Sequence, residues 1–207
     1  MGKAGGCTMK RQLSYLLLAI CLLGLAGCSK KESQTINQKD FKENTTIINA
    51  DGTVQSVIVE SFDKDYYQTN ELKSYIETTV QNYTKKAGND SVVLDSLNVN
   101  DKMATAQFSF KKMSDYATFN AIESEVLTNE QALKDERVSA TVYSVEDGET
   151  ISLQSALKDK EYKILVTGLL GENIITESKI AYYTNGTLTG DNLLKTGSEG
   201  ITVIIYE

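Results

Sequence analysis

Residues 103–110 read MATAQFSF, and the fold prediction starts from this stretch. Apolar and polar residues alternate along it: Ala104, Ala106, Phe108 and Phe110 are separated by Thr105, Gln107 and Ser109. A period of two puts one set on each face of a strand, so the pattern predicts one dry face and one wet face. A second apolar run covers 92–99, and the turn-forming residues 98–101 (NVND) between the runs predict a hairpin.

Two elements are predicted upstream of this hairpin. A strand over 53–62 follows the turn signal at Asp51-Gly52. A helix then begins at Asn70, a good N-cap residue, and ends before Gly88. Its apolar residues recur at the spacing of one helix face: Leu72, Tyr75, Ile76, Val80 and Tyr83.

Short helices and further strands are predicted downstream. Ser114 is a good N-cap for one helix, Thr128 and Gln131 have capping-box spacing for a second, and 152–158 hold a third. Strands are predicted over 138–146, 162–167, 174–184 and 201–206, with Gly, Asn and Asp in the turns between them. Residues 201–206 (ITVIIY) are apolar on both faces, which predicts a central strand.

Together these elements predict an α+β fold with antiparallel sheets and a few helices, packed mainly in the N-terminal half. The folded domain is expected over 51–207. A length of 207 residues suits one domain with flanks, and two lobes that divide near 125–137 are the alternative.

The composition excludes several classes of site. The chain has a net charge of −7 and contains no His, Pro or Trp. Without His there is no Ser-His-Asp or Cys-His machinery and no imidazole ligand for a metal. Without Pro the chain contains no PxxP ligand.

The N-terminal residues have the features of an export signal. Lys10 and Arg11 precede an apolar run over 13–24, which is too short to span a membrane, and small residues follow it. Leu25-Ala26-Gly27-Cys28 resembles the lipobox of bacterial lipoproteins at all four positions. Met9, directly before Lys10, is an alternative to Met1 as the translation start.

The lipobox resemblance implies a membrane anchor. Residues 1–27 would be the signal peptide, and Cys28 would become the N-terminus, carrying a diacylglyceryl group with palmitate-type chains. Residues 28–50 are polar and nearly non-periodic, so they are expected to form a flexible tether. The protein is therefore expected on the extracytoplasmic face of the cell membrane, held by the lipid on Cys28.

Cleavage before Cys28 would change the chemistry of the chain. It removes Lys3, Lys10 and Arg11 and no acidic residue, which shifts the net charge from −7 to −10. It also removes the other two cysteines, so no disulfide or thiolate metal site is expected, and no cofactor. The negative charge argues against nucleic acid as a partner.

The densest carboxylate group lies in VESFDKDYY, residues 59–67, and comprises Glu60, Asp63 and Asp65. Paired carboxylates perform acid–base catalysis or bind calcium. An EF-hand loop would need Gly and Glu where this chain has Gln68 and Ser74, so no metal site is expected. Adjacent tyrosines at 66–67 and 182–183 are candidate stacking surfaces for sugars.

Three segments are similar to uncharacterised surface lipoproteins of Gram-positive gut bacteria. They are residues 62–88 (FDKDYYQTNELKSYIETTVQNYTKKAG), 115–120 (DYATFN) and 199–207 (EGITVIIYE). This resemblance implies no activity and no catalytic residue.

The function expected from the sequence is non-enzymatic binding or scaffolding at the cell surface, with a protein or a glycan as the partner. The alternative is a hydrolase that acts on cell-wall or glycan substrates through Glu60, Asp63 or Asp65. A solute receptor for a transporter ranks behind both, because a two-lobed clamshell needs more chain than 51–207.

Overall fold

The computed structural model of the chain describes residues 41–207. Three predicted features lie outside this part: the signal peptide over 1–27, the lipidation site at Cys28 and the tether up to residue 40. Strands account for 40% of the structure and helices for 21%. The predicted α+β class is therefore wrong, and the fold is mostly β.

Thirteen strands form two sheets in the part described. In chain order they are β1 (Thr45–Ile48), β2 (Val54–Ser61), β3 (Val92–Asn100), β4 (Met103–Phe110), β5 (Ser124–Leu127), β6 (Thr141–Ser144), β7 (Thr150–Ser152), β8 (Lys163–Thr167), β9 (Asn173–Ile175), β10 (Ile180–Thr184), β11 (Gly186–Gly190), β12 (Leu193–Thr196) and β13 (Thr202–Tyr206). The helices are α1 (Thr69–Ala87), α2 (Met113–Asn120), α3 (Asn129–Ala132) and α4 (Leu153–Ala156).

The seven-stranded sheet has the order β11-β12-β9-β1-β2-β4-β3, and the six-stranded sheet has the order β5-β8-β13-β10-β6-β7. Neighbouring strands are antiparallel except for β1 and β9, which run parallel. The seven-stranded sheet draws strands from both sides of 125–137, and β5 of the six-stranded sheet overlaps that range.

The fold class was predicted wrongly because strands in the C-terminal third were merged or missed. Residues 174–184 contain parts of two strands, β9 and β10, where one was expected. Strands β11 (GTLTG) and β12 (LLKT) are missed, because both ends of β11 are glycines of the kind found in turns and β12 has only four residues. Each of these strands is stabilised by a partner elsewhere in the chain.

The hairpin built on MATAQFSF is confirmed, but its turn is not at 98–101 as predicted, because β3 continues to Asn100. Strand β4 pairs with β3 over its whole length and with β2 on its other side. Asp101 and Lys102 have φ values of 49° and 63°, the left-handed pair that a tight two-residue hairpin turn requires. Ala104, Ala106, Phe108 and Phe110 are all buried, as their alternation predicts. The predicted wet face is wrong, because Gln107 is also buried and its two polar neighbours on that face are half-buried.

One hydrophobic core lies between the two sheets and includes α1 and α2. The central strand predicted at 201–206 is confirmed: β13 lies between β8 and β10, and all five of its residues are buried. Ile204 faces this core, together with Phe108 and Ile76 of α1. A second core on the other side of β8 and β13 is closed by α3 and α4, with Leu153 and Ala156 of α4 buried in it.

The long helix was predicted nearly correctly. It ends at Gly88 as expected, but its N-cap is Gln68, which makes no side-chain capping bond, and not Asn70. Tyr75 is 43% exposed and does not belong to the buried face. The capping box at Thr128 and Gln131 is confirmed. The cap of α2 is Lys112 where Ser114 was expected.

The folded part begins earlier than residue 51. Strand β1 lies inside the predicted tether over 28–50, and all four of its residues are buried. Its residue Thr46 shares a 2.7 Å hydrogen bond with the hydroxyl of Tyr116 on α2. The polar composition of residues 28–50 hid the strand because its apolar content, Ile47 and Ile48, is only two residues long.

The substitution Ile48→Ala tests this correction. Ile48 is 4% exposed in the core between the sheets, so we expect a loss of about 2–5 kcal/mol in the free energy of unfolding. The measurement is urea unfolding followed by circular dichroism. Lys42→Ala, an exposed position in the same segment, is the matched control and should leave the midpoint unchanged. Equal midpoints for both variants would show that residues up to 50 are a tether after all.

Candidate functional site

An open groove of about 430 Å³ lies between α2 and β5. Met113, Ala117 and Thr118 of α2 line one side, and residues 122–126 line the other, with Lys112 and Arg137 also at the groove. We call it the α2–β5 groove. Its lining combines apolar side chains with hydroxyl and charged groups, which is typical of binding sites.

The chain reversal after α2 positions the two walls. Ala121 ends the helix in the left-handed conformation, with φ of 52°, and the amide of Ile122 donates to the carbonyl of Ala117. This turn directs residues 122–126 back alongside the helix. The hydroxyl of Ser124 donates to the sulfur of Met113 at 3.4 Å, which holds the strand against α2.

Among the strands of residues 41–207, β5 pairs with β8 alone and is therefore an edge strand. The amide of Gly168 donates to the carbonyl of Glu123 at 2.7 Å, and these two residues lie opposite each other in the register of β5 and β8. In antiparallel strands, every second pair of opposite residues is joined by main-chain hydrogen bonds. The main chains of Glu125 and Leu127 therefore also bond to β8. The amides and carbonyls of Ser124 and Val126 therefore point towards the open edge.

Arg137 joins three carboxylates beside the groove. Its guanidinium donates to Glu123 at 3.1 Å, to Glu125 at 2.9 Å and to Asp135, whose Oδ1 lies 2.9 Å from Nε. The bonds from Arg137 lower the pKa of Asp135 to about 2. Three carboxylates share one guanidinium, so the cluster carries a net negative charge and holds the side chains of Glu123 and Glu125 in place.

The structure does not bring Glu60, Asp63 and Asp65 together as a catalytic group. Asp63 pairs with Lys64 at 3.3 Å in solvent, and the hydrogen bond from that lysine lowers its pKa. Asp65 is exposed in the loop before α1. Only Glu60, near the end of β2, is partly buried.

Glu60 instead lies near Glu172, and Asn44 connects the two. The side chain of Asn44 lies beside both carboxyl groups, and its oxygen accepts from the amide of Val59 at 2.8 Å. Burial raises the pKa of both glutamates, and the charge of Glu60 raises that of Glu172 further. We call these three residues the Asn44 cluster. No sequence signal predicts it, because its members lie far apart in the chain.

The space beside the Asn44 cluster is small. A cavity of about 20 Å³ is bordered by Asn44 and Glu172, with Tyr116 and Asn120 of α2. This volume suits about one water molecule.

The candidate stacking tyrosines have different environments. Tyr66 is 74% exposed and contacts Tyr67 edge-on, with ring centroids 5.0 Å apart. Tyr182 and Tyr183 face opposite sides of β10, as strand geometry predicts. Tyr182 packs against the ring of Tyr162, and Tyr183 packs against that of Tyr143.

Residues 41–207 contain no group of three or more acidic, His or Cys residues placed to hold a metal ion. Within the same residues, no helix is both long enough and apolar enough to cross a membrane. No family model, no curated protein and no solved structure significantly matches the chain.

The substitution Glu172→Gln tests the Asn44 cluster. A carboxyl group whose pKa is raised by folding destabilises the folded state when it is ionised, and this cost disappears as the pH falls through the folded pKa. We therefore expect Glu172→Gln to raise the urea midpoint relative to the unmodified protein at pH 7. The gain should shrink as the pH is lowered towards the ordinary glutamate pKa of about 4.3.

Glu161→Gln, an exposed position, is the control for the loss of one charge. A gain for Glu172→Gln that does not change with pH, or that matches the gain of this control, would contradict the assignment.

Proposed function

We propose that the chain is a lipid-anchored protein on the extracytoplasmic face of a Gram-positive bacterial membrane, where its folded part binds or scaffolds a partner without catalysing a reaction. The lipobox at 25–28 supports the location, because two acyl chains on Cys28 suffice for stable membrane attachment. The α2–β5 groove supports the binding role.

The groove is the observation that carries the binding proposal. It is open, it is partly apolar, and one of its walls is a strand edge with unpaired main-chain groups. Unpaired strand edges recognise other chains through main-chain hydrogen bonds. The ionised groups beside it pair with Arg137, an arrangement that suits recognition better than proton transfer.

The Asn44 cluster is the specific observation in favour of the hydrolase alternative. It places two carboxyl groups with raised pKa values near each other, and one of them, Glu60, was a candidate from the sequence. Glycoside hydrolysis requires a sugar between the two carboxyl groups. The cavity of about 20 Å³ beside Asn44 and Glu172 is far too small for a sugar ring, so binding is the better-supported role.

The substitution Cys28→Ala tests the anchor. The lipid is attached through the thiol, so we expect the variant to leave the membrane fraction, whereas Cys21→Ala, inside the apolar run of the signal, should stay attached. The measurement is fractionation of cells that express the full chain, with mass spectrometry of the N-terminus of the unmodified protein. Retention of Cys28→Ala in membranes, or an unmodified peptide that runs through position 28, would refute the proposed location.

A further inference from the structure

The geometry points to an extended peptide segment of a partner protein, with basic residues alternating with apolar ones, which binds in the α2–β5 groove as an added strand on β5. This inference rests on the proposed binding function and names the class of partner. Strand addition combines main-chain hydrogen bonds, which provide affinity, with side chains on alternating faces, which provide specificity.

The main chain of β5 offers a complete set of partners for such a strand. Ser124 and Val126 each direct one amide donor and one carbonyl acceptor to the open edge, because their neighbours bond to β8. Among residues 41–207 no group bonds to these four main-chain atoms. An incoming strand that pairs with Ser124 and Val126 would therefore form up to four hydrogen bonds at the spacing of an antiparallel ladder.

The two faces of β5 specify the pattern of the peptide. Ser124 and Val126 project on the side of α2, where Met113 and Ala117 present an apolar wall. Glu123 and Glu125 project on the opposite face, with side chains 55% and 54% exposed. Side chains of an added strand alternate in the same way, so apolar residues would face α2 and the others would face the glutamates.

The negative charge on the face of β5 that carries Glu123 and Glu125 favours basic residues in the peptide. Glu123, Glu125 and Asp135 together with Arg137 leave two negative charges, and Lys112 across the groove offsets only one of them. Lysine or arginine at alternate positions of the peptide would compensate the remaining negative charge. Acidic residues there would be repelled.

The test uses the full chain and four acetylated, amidated eight-residue peptides. One peptide alternates Lys and Val. The second alternates Glu and Val, the third carries four Lys followed by four Val, and the fourth is the Lys-Val peptide with N-methyl groups on alternate amides. The last two keep the charge of the first peptide, but one loses the alternation and the other loses main-chain donors. Affinity is measured by fluorescence anisotropy with a labelled peptide.

Hydrogen exchange of single amides, followed by NMR, locates the peptide. In the free protein the amides of Ser124 and Val126 should exchange faster than those of Glu125 and Leu127, which bond to β8. The Lys-Val peptide should protect Ser124 and Val126 and leave the other two unchanged. We expect the three comparison peptides to bind about tenfold more weakly or worse.

Two variants of the protein test the contacts separately. Val126→Pro removes an outward amide, which edge strands tolerate, and should abolish protection while the fold is retained. Glu125→Lys reverses a charge on an exposed side chain and should weaken binding of the Lys-Val peptide about tenfold, whereas Glu161→Lys at another exposed site should not. Glu125→Lys keeps the test valid even if Val126→Pro fails to fold.

Three results would overturn the inference. They are equal binding of the Lys-Val and Glu-Val peptides, protection that falls outside 122–126, and protection of Ser124 and Val126 that rises with protein concentration in the absence of peptide. The last result would identify a second copy of the chain as the occupant. None of them affects the membrane anchor, which the Cys28→Ala experiment tests independently.

Discussion

The parallel pairing of β1 with β9 is the interaction on which the rest of the structure depends. Strand β1 is the fourth of seven strands, with β2, β4 and β3 on one side and β9, β12 and β11 on the other. Without it the N-terminal and C-terminal halves of this sheet would not be joined by hydrogen bonds. A strand of four residues can hold this position because both of its neighbours satisfy its main chain and because all of its residues are buried.

The same strand also positions the two candidate sites. Asn44, the residue before β1, connects Glu60 of β2 with Glu172, the residue before β9, so the pairing of the three strands assembles the Asn44 cluster. Thr46 of β1 bonds to Tyr116 of α2, and the ring of Tyr116 packs edge-on against Phe110. These contacts hold α2 in place and so determine the distance between α2 and β5 across the groove.

The two sites use carboxylates in opposite ways. In the Asn44 cluster, burial raises the pKa of both glutamates, the charge of Glu60 raises that of Glu172 further, and the small cavity leaves no room for a substrate. Beside the groove, Arg137 pairs with three carboxylates and orients them at an accessible surface. The first arrangement couples stability to pH, whereas the second places charged groups at an accessible surface. This difference supports the proposal that the groove binds a partner and that the cluster is not a catalytic site.

Elements that depend on neighbours along the chain can be predicted from the amino-acid sequence. The alternation in β4, the apolar run of β13, most of the length of α1 and the capping box at Thr128 each follow from local periodicity or capping. Glu60 was identified as a candidate, but its partner Glu172 was not. The lipobox prediction also depends on the sequence alone, since it lies outside residues 41–207.

The fold class, the incorporation of β1 and the candidate sites depend on contacts between distant parts of the chain. Strands β1, β9, β11 and β12 are too short or too polar to show a pattern. The parallel pair of β1 and β9 joins residues distant in sequence, and β12, the hairpin partner of β11, pairs with β9 on its other side. The open edge of β5 depends on the strand order of its sheet. The Asn44 cluster brings together three residues that lie up to 128 positions apart in the chain. Local periodicity carries no information about such contacts, because the burial that stabilises them arises only when the two sheets pack together.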